Sequence, residues 1–199
     1  MNVSDFQTSI QNIFSQMNNM TSGGDKYFAD NLASAIKTLI ASGKVTSNDD
    51  AGSIGTSTYK GKGTGSMSID DTPLATNLLS TFTKEDTTDD EIADGIADNV
   101  NTACSVSNSV STTTRGTQTF PNGATSEYEG SGKGTFSGTK KTISDALKTA
   151  FNTMSEMTSG GNDVFAAALA SSISSYLTGG SIDITLQTPI SGSATGKIA

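Results

Sequence analysis

Cys104 is the only thiol in 199 residues, and the chain has no histidine. A catalytic cysteine needs a base to form its thiolate, and histidine is also the commonest transition-metal ligand, so both kinds of chemistry lose their usual partner. Cys104 shares its helical face with apolar positions matching Ile40 and Leu177 in related segments, which makes it a packing residue. The acidic run Glu85, Asp86, Asp89, Asp90, Glu91, with Asp94 and Asp98 beyond, has oxygen ligands for a hard cation. It lacks the alternating ligands, central glycine and final glutamate of a calcium loop, so it reads as a helix start favoured by the helix dipole. Met17, Met20, Met154 and Met157 could hold a soft metal, yet they fall on the apolar stripes of two helices and are expected in the core.

Gly130-Ser-Gly-Lys-Gly-Thr135 has the composition of the end of a phosphate-binding loop. Such a loop needs an earlier glycine, a buried strand before it and a helix after it. Glu127 stands where that glycine belongs, and Phe136 to Lys141 does not read as a helix start. The segment is instead one of three similar tails: Tyr59-Lys-Gly-Lys-Gly-Thr-Gly65, Tyr128-Glu-Gly-Ser-Gly-Lys-Gly134 and Ile190-Ser-Gly-Ser-Ala-Thr-Gly196. Each is expected to dock on a neighbouring protein. The assembly contacts are then Tyr59, Gly61, Gly63 and Gly65, with Tyr128, Gly130, Gly132 and Gly134, and Ile190, Gly192 and Gly196. No catalytic residue, cofactor or metal ligand is assigned.

The elements that must carry these residues are repeated along the chain. Phe14 to Gly43 matches Phe151 to Gly180 without a gap, including Met-Thr-Ser-Gly-Gly at 20–24 and 157–161. A fainter middle copy aligns Leu74, Leu78, Ile92, Ile96 and Val100 with Ile10, Phe14, Phe28, Leu32 and Ile36. Within the first copy, Val3, Phe6, Ile10, Ile13, Phe14, Met17 and Met20 recur at helical spacing. Gly23 and Gly24 can close that helix, and Phe28, Leu32, Ile36, Leu39 and Ile40 mark a second one. Ser4 with Gln7, Asp25, Thr72-Pro73, Asp89 or Asp90, and Thr142 are candidate helix starts.

These patterns predict a mainly α protein of three tandem, diverged αα-hairpin repeats at 1–69, 70–141 and 142–199, each followed by a Gly-rich extended or loop segment. Residues 44–58 and 110–127 read as long loops. Short strands are compatible with the residues around Tyr59 and Met67, around Phe120, around Phe136 and at Ile182 to Leu186. One hairpin is too small to bury its apolar face alone, so the repeats are expected to share a core.

With 12 Lys plus Arg against 20 Asp plus Glu the net charge is −8, which disfavours nucleic acid and anionic membranes as partners. No secretory leader or membrane-spanning run is visible, and a single cysteine cannot form an internal disulfide. The pattern Phe-x-x-Met-x-x-Met-Thr-Ser-Gly-Gly-Asp, then Phe-Ala-x-x-Leu-Ala-x-x-Ile, then a Gly-Thr-Gly tail resembles small virion-associated proteins of tailed phages and prophages. That resemblance implies a non-enzymatic component of a head, neck or tail, assembled in the bacterial cytoplasm with other structural proteins as a homo-oligomer or hetero-assembly. The alternative is a cell-surface or secreted binding module, for which the Ser/Thr-rich stretches would be natural.

Overall fold

A computed structural model describes residues 1–199. Two helices, α1 (Val3–Met17) and α2 (Gly24–Ala41), lead into β1 (Val45–Asn48), β2 (Gly52–Ile54) and β3 (Ser57–Met67). The same order follows twice more: α3 (Asp71–Phe82), α4 (Asp89–Cys104), β4 (Val110–Thr119) and β5 (Thr125–Ser137), then α5 (Lys141–Ser155), α6 (Gly161–Gly179), β6 (Ser181–Leu186) and β7 (Ser193–Ile198). With β1 and β2 counted as one interrupted strand, since both pair along β3, the repeated unit is helix, helix, strand, strand.

Around the molecule each helix packs on the next, and α6 returns to α1, so six helices form a closed ring. The strands close in the same sense. Neighbours run β1, β7, β6, β5, β4, β3, and β3 pairs back to β1, giving a six-stranded antiparallel barrel with β2 extending the β1 position along β3. Matching registers reveal a pseudo-threefold arrangement: Val45 opposes Gly65, Val110 opposes Gly134 and Ile182 opposes Gly196. One continuous apolar core runs from the helical ring into the mouth of the barrel.

Local sequence explains four of the six helix starts. Gly23 and Gly160 have φ of 73° and 83°, a left-handed conformation that side-chain-bearing residues rarely adopt, and each stands just before the second helix of its unit. In the middle unit Thr88 and Glu91 satisfy each other's backbone N–H in a capping box, so no glycine is needed there. Asp70 accepts from the Thr72 N–H and starts α3. Some expected caps differ: α1 begins at Val3 without a Ser4 box, Asp25 lies inside α2, and Thr142 lies inside α5.

The expectation of a mainly α array of hairpins with loop-like tails is overturned. The fold is mixed α/β, and its barrel is built from the polar stretches at 44–58 and 110–127 together with the glycine tails. A strand does lie beside Phe120: β4 ends at Thr119, and Phe120 itself begins the loop to β5. The physical reason lies in the barrel's width. Six strands enclose so little space that the two strands of one hairpin cannot both send large side chains inward. In the middle unit, Cβ atoms on Gly132 and Gly134 would lie 2.6 Å and 2.9 Å from the Ile184 and Ile182 side chains. Inward glycines on one strand make room for inward side chains on others, and hydrophobic alternation disappears from the sequence.

Candidate functional site

The eleven residues expected to contact a neighbour lie on or beside the second barrel strand of each unit. Tyr59, Gly61, Gly63 and Gly65 are in β3, Tyr128, Gly130, Gly132 and Gly134 are in β5, and Gly196 is in β7, with Ile190 and Gly192 in the turn before it. The period of two turns the strand positions among them toward the barrel axis, whereas Gly192 in the turn is exposed. Tyr59 and Ile190 are fully covered. The Tyr59 hydroxyl is 2.9 Å from Thr114 Oγ1, and its ring meets Tyr128 edge-on at 6.4 Å. Burial, together with the nearby Asp49 charge, raises the Tyr59 pKa, while its bond to Thr114 opposes that shift.

What the barrel offers outward is the intervening set of residues. Lys60, Lys62 and Thr64 of β3 lie beside Thr117, Arg115 and Thr113 of β4, and Lys62 directly opposes Arg115. Like charges in that register repel. Arg115 is drawn to Glu129 on its other side at 2.7 Å, whereas Lys60 and Lys62 have no carboxylate partner. In the helical half every lysine is paired: Lys26 with Asp30, Lys37 with Asp71, Lys84 with Glu91, Lys140 with Asp98, Lys141 with Asp145 and Lys148 with Asp94. The molecule thus has an acidic helical half and a barrel wall with uncompensated cations.

The acidic run has structural work in this arrangement. Glu91 accepts from the Thr88 N–H at 2.9 Å, and that bond, with Lys84, lowers its pKa. Asp94 accepts from Ser144 and from Lys148 across the α4–α5 seam, and both lower its pKa. No three acidic or thiol groups converge as a metal-ligand set. Cys104 is sealed at the end of α4, and burial pushes its thiol up to about 12. The phosphate-loop-like segment 130–135 runs through β5, where Gly132 to Gly134 are flanked by β4 on one side and β6 on the other.

At the helix-turn end Phe14, Phe28, Phe82, Phe151 and Phe165 form one cluster spanning all three units, with ring centroids 5.1–6.1 Å apart. Two of the methionines expected in the core lie outside it: Met20 is 38% exposed and Met157 40%. Each leads into Thr-Ser-Gly-Gly, identical in the first and third units although neighbouring surface positions such as Asn19 and Glu156 have diverged. The glycines have a backbone reason for persisting. The exposed methionine, threonine and serine make no side-chain hydrogen bond that would explain theirs.

No protein-family model matches this chain, and no curated protein or solved structure does either.

Proposed function

We propose that this chain is a non-enzymatic structural component of a tailed-phage-like particle, acting as a pseudo-threefold adaptor in a head, neck or tail assembly. The observation that carries the reading is the retained pair of exposed turns, Met20-Thr-Ser and Met157-Thr-Ser, at equivalent corners of the helical ring. Exposed methionines suit an adaptable protein contact. Two corners presenting the same residues suit a partner that repeats its own surface around an axis. The third corner, Glu85 to Asp90, is acidic and sets the register of such a contact. The partners are other structural proteins of the particle, and the cationic barrel wall at Lys60, Lys62 and Arg115 faces an acidic one among them.

Mass spectrometry of purified particles from cells carrying the gene should find the chain at a fixed ratio to the other structural proteins. The double variant M20E/M157E should keep its melting temperature and lose incorporation. Particles lacking the wild-type chain, or containing the variant in undiminished amount, would sink the proposal. A second reading, a surface or secreted binding module, draws on the Ser/Thr-rich outer wall of β4. It predicts the wild-type chain on the cell exterior and none in particles.

A further inference from the structure

Asp49 is a carboxylate sealed inside the barrel, with 0% of its surface exposed. It lies in the break between β1 and β2. Asn48 opposes Lys62 and Gly52 opposes Tyr59, so this side of the pair advances four residues while β3 advances three. The extra residue makes a bulge, a device that re-aims side chains at barrel rims. It falls at Asp50–Ala51, and Asp49 just before it keeps the inward alternation of Val45 and Ser47, its N–H donating to the Gly61 carbonyl at 2.9 Å.

Asp49 Oδ1 accepts from Ser47 Oγ at 2.8 Å. No protein donor reaches Oδ2, and Thr112 Oγ1, also buried, has no protein partner either. The Asp49 carboxylate, Ser47 Oγ and the Thr112 side chain meet over Gly63, with Thr112 Oγ1 turned toward Gly132. A Cβ on Gly63 would lie 3.1 Å from Asp49 Oδ2 and 3.4 Å from Thr112 Cβ, and would collide with Ser47 Oγ. The nearby cations Lys60, Lys62 and Arg115 are on the outer wall. A carboxylate withdrawn from water with one hydrogen bond is strongly unfavourable unless its charge is met. The equivalent layers of the third unit show that the fold accepts apolar residues here, since Ile184 and Leu186 fill them.

We propose that Asp49, Thr112 and Ser47 bind a small monovalent cation, of sodium size, inside the barrel. The donors are all hard oxygens, the class that suits such ions. One carboxylate balances one positive charge, whereas a divalent ion would leave a net buried charge. Size excludes an organic ammonium, because a Cβ on the facing Gly132 would already stand 2.8 Å from Thr112 Oγ1. The ion would join the end of the first unit's β1 to β4 of the second, across the strand between them.

Thermal melts of the whole chain in sodium chloride and in N-methyl-D-glucamine chloride, matched in ionic strength, test this. The melting temperature should be higher in sodium and rise by about 3 °C for each tenfold excess over the dissociation constant. D49N should melt at the same temperature in both salts. T112V, which keeps the carboxylate and deletes one ligand, should need about tenfold more sodium for the same rise, and it supplies the test if D49N fails to fold. Equal wild-type melting in the two salts, an undiminished sodium effect in D49N or T112V, or a larger shift with calcium chloride than with sodium would each overturn the site.

Discussion

Phe28 meets Phe14, Phe82 and Phe165 at centroid distances of 5.2, 5.1 and 6.1 Å, so one ring touches residues of all three units. Replacing it with alanine should destabilise the chain by about 3–5 kcal/mol, read from denaturant unfolding. An unchanged midpoint would show that the cluster does not hold the ring of helices together. Cys104 gives a second residue-level expectation. A thiol with a pKa near 12 has only about one part in ten thousand as thiolate at pH 8, so a disulfide reagent should react with it only after unfolding. Fast labelling of the native protein would contradict its burial. Both residues were legible in the sequence, because a large apolar side chain at helical spacing announces its face. Met20 and Met157 were not, since the same periodicity that placed them on the stripe carries them past the last turn, where the core has ended.

The elements differ in how openly they were written. Six helices could be found from their stripes, whereas the strands hid because a narrow barrel replaces large inward residues with glycine. The visible trace is the glycine at every second position of 61–65 and 130–134, which is a strand period and not a flexible tail. The pairing makes this testable. G63A should be destabilising because its methyl group collides with Ser47 Oγ, and adding S47G should recover part of the loss. A double-mutant cycle with no coupling would refute the account of the barrel interior. The helix seams carry a pH signature as well. Asp71, paired with Lys37 between α2 and α3, and Asp94, paired with Ser144 and Lys148 between α4 and α5, both have lowered pKa values. A carboxylate held below its unfolded pKa adds stability above that value and loses it as pH falls through the lower, folded one. Melting temperature should therefore fall on acidification below about pH 4, and D71N/D94N should flatten that fall. An equal slope in the variant would assign the acid sensitivity elsewhere.

At the scale of the whole molecule, both rings close on themselves, so no boundary between units should be privileged. Residues 1 and 199 illustrate this. The Asn2 N–H donates to Ser42 Oγ at 3.0 Å, while Lys44 and Ala199 exchange backbone hydrogen bonds of 3.0 and 2.9 Å. The two ends of the described chain thus sit beside the same short segment after α2, and β7 is held between β1 and β6 like any interior strand. A peptide joining them would replace the connection that already links the first unit to the second at Ser68 to Asp70. A circular permutant should then fold with its new N-terminus at Asp70, which keeps the Asp70 cap on Thr72, and a short Gly/Ser linker from Ala199 to Met1. Its circular dichroism should match the parent and its melting temperature lie within a few degrees, because the contacts in both rings are unchanged. Removing Ser193 to Ala199 should have the opposite outcome. That deletion takes one strand from a closed barrel and exposes two edges, so cooperative unfolding should be lost, not just an attachment. If the permutant failed to fold while the truncated chain unfolded cooperatively, the barrel would not be the closed unit that holds the three segments together.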